Sequence, residues 1–214
     1  MTFYYLNDNS NYTRGAPWIN GAYADMRVVS ECQVCKALTR EPMSIVRMHC
    51  EASKGTFWPD VLGSGGGIMG FFVSARIKES LDMAPLRYGT AFEGIIEKPY
   101  PKRLRDATAP RYYYLTGELG AQMDFAACGF RIRSTCRTCG KTRLDPSSPA
   151  TKYQFVPGSW NGAEIFHTDL SPNVYFCTQR FVDLARVHGW TNLRFEPLET
   201  HFGTEDDSFS SKRF

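Results

Sequence analysis

The sequence predicts an α+β fold made of two pseudo-twofold-related copies of one unit, held together by four cysteines. Three observations carry that expectation. Two C-x-x-C motifs, Cys32-Gln33-Val34-Cys35 and Cys136-Arg137-Thr138-Cys139, stand 104 residues apart. Each is followed by the same succession of loop, strand, helix and strand patterns. At the same offset Phe71 falls on Tyr175, Phe72 on Phe176, Ser74 on Thr178, Arg76 on Arg180 and Ile77 on Phe181. Agreement of cysteine spacing with strand–helix register points to an internal duplication within one globular domain, residues 1–214. Copy one is expected at about 30–97, copy two at about 134–199, and a flexible, charged tail at 203–214.

In chain order, residues 3–6 are aromatic enough for an opening strand, and the remainder of 1–30 reads as irregular. Residues 44–48 read as a short strand. A loop begins at Phe57-Trp58 and ends in the glycine run around Gly65-Gly66-Gly67. Residues 71–74 form a strand. Residues 75–84 form a helix, since Ile77, Leu81 and Ala84 recur at helical spacing and Pro85 stops it. Residues 91–96 are a strand. In the second half residues 153–156 and 174–177 read as strands and 178–188 as a helix, with Phe181, Leu184 and Ala185 on its buried side. Gly189 is the C-terminal stop, and 193–198 is the last strand. Beyond the helix the aromatic match Phe92 with Phe195 shifts the offset by one residue.

Composition bounds the function. The chain has 214 residues, 43% hydrophobic, with a net charge of +3. That is enough apolar content for a packed core and too little basic charge for a dedicated nucleic-acid binder. The run Lys102-Arg103-Leu104-Arg105 is read as a solvated loop. No leader-like start and no membrane-length apolar run are present, so a cytoplasmic location is expected, with thiols reduced. Seven cysteines fit a full disulfide framework poorly.

Two residues between cysteines let a tight turn aim both sulfurs at one point, and soft thiolates suit a tetrahedral zinc. Each copy supplies half a site. The simplest reading is one structural zinc held by Cys32, Cys35, Cys136 and Cys139. His49-Cys50 is a weaker alternative source of ligands. Cys128 and Cys177 are read as small buried apolar residues. A redox role is disfavoured because neither motif opens a helix. Gly65 to Gly70 fits G-x-G-x-x-G, but a strand follows, so no helix N-terminus would face a phosphate. His49, His167, His188 and His201 are scattered. Glu164, His167 and Asp169 do not share a strand face. Trp58, Trp160 and Trp190 are assigned to the core. No catalytic constellation emerges, and the chain is not expected to be an enzyme.

The paired motifs, the stretch Ser159-Trp160-Asn161-Gly162-Ala163-Glu164-Ile165-Phe166 and the closing Gly189-Trp190-Thr191-Asn192-Leu193-Arg194-Phe195-Glu196-Pro197-Leu198 resemble the double-CXXCG-motif proteins, a family first noticed as myxobacterial paralogues. The resemblance spans most of residues 30–200. It implies an immunity protein of a swapping-inherited-toxin or related toxin locus, with zinc ligands at Cys32, Cys35, Cys136 and Cys139, no catalytic residues, and a cognate toxin as partner. The family pattern has glycine after both motifs. Gly140 fits and Lys36 departs from it. Tyr112, Tyr113, Tyr114, Arg131 and Arg133, in the connector between the copies, are exposed-looking candidates for a protein interface. The alternative is a zinc-ribbon nucleic-acid binder, for which Arg131, Arg133, Arg137, Lys141 and Arg143 around the second motif speak.

Overall fold

A computed structural model describes residues 1–8, 17–23, 26–43, 45–50, 55–64, 71–97, 101–148 and 150–199. The glycine run from Gly65 to Gly70, His201 and the expected tail at 203–214 lie outside them. Among the described residues the fold is mixed α+β, mostly strands with two α-helices. In chain order the strands of the first part are β1 (Phe3–Asp8), β2 (Trp18–Tyr23), β3 (Met26–Glu31), β4 (Leu38–Pro42), β5 (Val46–Cys50), β6 (Val61–Ser64) and β7 (Phe71–Ser74). Then come α1 (Ala75–Met83), β8 (Ala91–Ile96), β9 (Tyr112–Leu115), β10 (Glu118–Ala121), β11 (Ile132–Thr135) and β12 (Thr142–Leu144). The chain closes with β13 (Ile165–Thr168), β14 (Ser171–Thr178), α2 (Gln179–His188) and β15 (Leu193–Pro197). No helix among the described residues is long and apolar enough to cross a membrane.

The strands form a closed barrel, ordered β2-β5-β8-β9-β7-β6, and a five-stranded sheet, ordered β10-β13-β14-β1-β15. β3–β4 and β11–β12 are separate two-stranded hairpins. Within the barrel β2 runs parallel to β6, and β6–β7, β7–β9 and β9–β8 are antiparallel. In the sheet β10 runs parallel to β13, and β13–β14, β14–β1 and β1–β15 are antiparallel. The two successions have the same order and directions. The registers agree as well. Phe71, Phe72 and Val73 face Leu115, Tyr114 and Tyr113, while Tyr175, Phe176 and Cys177 face Leu6, Tyr5 and Tyr4. Ala91 faces Leu115, and Phe195 faces Leu6. The offset of 104 therefore holds past the helices. The one-residue shift inferred from Phe92 and Phe195 is not what the ladders show. Ala91 and Phe195 both pack on the central core, whereas Phe92 packs inside the barrel.

That central core draws on both halves. Val61, Phe71, Val73, Ile77, Leu81, Leu86 and Leu115 meet Ile165, Tyr175, Cys177, Phe181, Ala185, Trp190 and Leu6. β7 is buried at all four residues because its alternate side chains enter two cores. Phe71 and Val73 point to the shared one and Phe72 to the barrel interior, so the strand reads as a continuous apolar run. α1 starts where Ser74 Oγ accepts from Ile77 N at 3.4 Å. α2 stops at Gly189, whose φ of 59° is the left-handed conformation expected of a glycine cap.

Several strands are absent from the sequence reading. Residues 17–31, expected irregular, hold β2 and β3. Residues 153–156 form no strand, only the bridge Met123–Phe155. Tyr112 and Tyr114, expected on the surface, are buried in β9, where the Tyr112 hydroxyl donates to Pro59 O at 2.6 Å. Burial raises both phenols above the ordinary tyrosine range.

Candidate metal centre

Both cysteine motifs sit at the tips of the hairpins, each built the same way. Cys32 follows β3 directly and Cys136 follows β11. Cys32 N donates to Ala37 O and Lys36 N to Cys32 O, both at 2.9 Å. In the second tip Cys136 N donates to Lys141 O at 3.0 Å and Gly140 N to Cys136 O at 2.9 Å. The last residue of each turn must be left-handed to return the chain to its partner strand. Gly140 has φ 72° and Lys36 has φ 58°. Lysine in place of glycine thus leaves the turn unchanged, and Lys36 bears the steric cost that glycine avoids.

The two tips face one another. Cys32 Sγ lies 3.7 Å from Cys136 Sγ, and Cys35 Sγ 3.5 Å from Cys139 Sγ. All four sulfurs fall within 4.8 Å of one another. These are not disulfide distances, and all seven cysteines are free. A tetrahedral ion with metal–sulfur bonds of about 2.3 Å would set the sulfurs about 3.8 Å apart. The two facing pairs stand near that separation and all four soft donors lie within 4.8 Å, so the residues present fit a closed tetrathiolate site for a metal ion such as zinc. Such a site has no vacant coordination position and serves structure.

Backbone amides favour the thiolate at two of the four sulfurs. Backbone N–H groups of Cys139 and Thr138 pull the Cys136 thiol down to about 6. Those of Cys35 and Val34 lower Cys32. Cys139 is pulled down by the Lys141 N–H, but its neighbours Cys35, Cys32 and Cys136 push it up to about 12. Four thiolates so close repel one another, and a bound dication relieves that repulsion.

The other candidates stay apart from this cluster. Cys50 is a barrel residue whose thiol burial pushes up to about 12. His49, beside it in sequence, is exposed and lies 2.5 Å from Glu97 Oε2. Cys128 and Cys177 are fully buried, as expected of small apolar residues, and burial raises both thiols. Glu164, His167 and Asp169 do not converge. Thr178 Oγ1 donates to the Glu164 carboxylate, which also pairs with Arg180 at 3.2 Å. His167 is drawn towards the core, and burial lowers its pKa. Asp169 Oδ1 accepts from Met123 N at 2.8 Å. Trp190 is buried, and Trp58 and Trp160 pack half-buried against the flanking cores. Lys102, Arg103 and Arg105 are solvated around the buried Leu104. Arg131 and Arg133 are exposed on and beside β11, unlike the connector tyrosines.

The sequence reading missed one polar device. Asp60 accepts from Ser74 Oγ at 3.0 Å and pairs with Arg76 at 3.0 Å, as Glu164 does with Thr178 and Arg180. Asp60 also receives Thr191 N at 3.0 Å, and Glu164 N donates to Arg87 O at 2.7 Å. Each half therefore grips the turn that follows the other half's helix. The signal was present as Asp60, Ser74 and Arg76 against Glu164, Thr178 and Arg180 at the cysteine offset, but only the hydroxyl and arginine matches were conspicuous. No family model matches the chain, and neither does any curated protein.

Proposed function

We propose that the chain is an immunity protein of the double-CXXCG type, which binds a cognate bacterial toxin in the cytoplasm and neutralises it by direct contact. The observation that carries this reading is the meeting of the two cysteine tips, which the resemblance requires and which leaves the proposed ion without an open position for catalysis. Zinc is the ion proposed, held by Cys32, Cys35, Cys136 and Cys139. When bound it supplies cross-linking of the two hairpins, and its binding energy adds to folding.

The finer architecture belongs to the same proposal: one domain containing a duplicated unit, its copies related by a pseudo-twofold axis through the cysteine cluster. Matching ladder registers, a core assembled from equivalent residues and the reciprocal Asp60–Thr191 and Glu164–Arg87 ties support it. Reciprocal contacts are what a twofold interface produces. On this reading the copies are larger than the sequence suggests. β9 completes the first, and β1, from the opposite end of the chain, completes the second.

Co-expression with the toxin encoded beside this protein's gene is the test. Rescue of growth and co-purification of the two proteins are expected. A toxin that still kills and leaves no complex overturns the reading. The exposed Arg131, Arg133, Arg137, Lys141 and Arg143 favour the second reading, a zinc-ribbon nucleic-acid binder. It requires salt-sensitive retention of DNA or RNA, and no retention at low salt removes it.

A further inference from the structure

Between the two cysteine tips runs a groove of about 800 Å³. Lys36, Arg137, Lys141 and Arg143 line it, together with the apolar side chains of Val34 and Leu38. No carboxylate is among its lining residues. Lys36 reaches Glu31 at 3.7 Å, but both side chains are well exposed, so that pair is weak. Among the described residues Arg137, Lys141 and Arg143 are in no ion pair. Val34 is 70% exposed and Leu38 41%.

One bland account of these cations is that they neutralise the metal site. A zinc tetrathiolate carries a net charge of minus two. Four cations exceed that need and leave the groove positive. The chain as a whole is only slightly basic, so this is a local concentration of charge beside exposed apolar groups. A positive groove of this kind calls for an anionic occupant. The chemistry of its walls selects which. No aromatic side chain lines the groove to stack a base, whereas Val34 and Leu38 offer apolar contact that a phosphate backbone cannot use.

We propose that this groove is a docking surface for an acidic, extended protein segment, whose carboxylates meet Lys36, Arg137, Lys141 and Arg143 while its apolar side chains cover Val34 and Leu38. It rests on the immunity reading and deepens it, because it places a toxin contact on the cysteine tips. It also gives the proposed zinc a direct bearing on binding. The groove has walls on two hairpins, and the facing cysteines are where their tips meet.

The test uses the full chain and a fluorescein-labelled peptide of alternating glutamate and valine, read by fluorescence anisotropy at low salt. A single-stranded oligonucleotide of equal charge is measured alongside. The R137S/K141S/R143S variant removes exposed charges only, so circular dichroism and metal content should match wild type. The K102S/R103S/R105S variant removes the same charge elsewhere. Peptide binding is expected to weaken about tenfold in the first variant and by less than about twofold in the second. Stripping the metal with a chelator should lower it comparably. No peptide binding by wild type, equal loss in both triple variants, or tighter binding of the oligonucleotide overturns the proposal. The immunity reading is judged separately by toxin capture. If R137S/K141S/R143S captures the toxin as well as wild type does, the groove is not its contact and the immunity reading stands. If wild type captures none, the immunity reading falls whatever the peptide does.

Discussion

Lys36 occupies a left-handed backbone position at the end of the first cysteine turn, with φ 58°. An L-residue with a side chain pays about 1–2 kcal/mol there, partly offset because glycine loses more freedom on folding. Replacing Lys36 by glycine should therefore stabilise the protein by about 0.5–1 kcal/mol in denaturant titration. The lost pairing with Glu31 is between exposed groups and subtracts little. Gly140→Ala should do the reverse by about 1 kcal/mol, through φ alone, because nothing lies within 4 Å of a Cβ at that position. A stabilised Gly140→Ala, or a destabilised Lys36→Gly, would show that the turns differ. At this scale the sequence was informative where side chains carry the chemistry. Cys128 and Cys177 read as buried, and they are. It misled for Tyr112 and Tyr114, because a run of three tyrosines does not reveal which hydroxyl finds an internal acceptor such as Pro59 O.

At the scale of elements, the two hairpins put half a metal site each on separate two-stranded ribbons. Isolated hairpins are marginal, so the proposed metal cross-link between their tips would stabilise both. Either Cys32→Ser or Cys136→Ser alone should lose the whole metal, as measured by elemental analysis. Retention of half would mean two separate sites. Acid should release the proposed metal too. Cys136, with its thiol at about 6 against an ordinary 9.0, contributes stability that is complete above the ordinary value and is lost as pH falls through about 6. Bound zinc deepens this dependence by demanding thiolates. A chromophoric chelator should thus capture more of the metal as pH falls, and release that ignores pH would contradict thiolate ligation. Both helices and the strands flanking them were legible, because their apolar spacing is local. β2, β3, β4, β11 and β12 were not. The pairing of β3, β4, β11 and β12 is set by the cysteine turns, and a short strand in a ribbon has no buried face to impose alternation, while β2 is defined only by its distant partners β5 and β6.

For the whole molecule, the central core is shared by residues from both halves, several of them at the 104-residue spacing of the cysteines. The sequence conveyed the four-cysteine meeting because two half-sites are chemically incomplete. It did not convey that β1 lies between β14 and β15, since strand order depends on long-range pairing. Deleting residues 1–8 should expose the β14 and β15 amides to hydrogen exchange while those of the barrel strands β5 and β8 stay better protected, because among the described strands β1 hydrogen-bonds to β14 and β15. Uniform loss of protection would make the molecule a single cooperative unit.

The placing of β1 also has a consequence on the ribosome. β1, the first described strand, has its partners at residues 171–197, the last described strands to be made. The barrel's strands are complete once β9 has been translated. During synthesis the barrel can close while Phe3, Tyr4, Tyr5 and Leu6 still wait with their edges open. A nascent-chain chaperone that covers aromatic segments would find a client in β1, and any insertion between β9 and β14 would lengthen the wait.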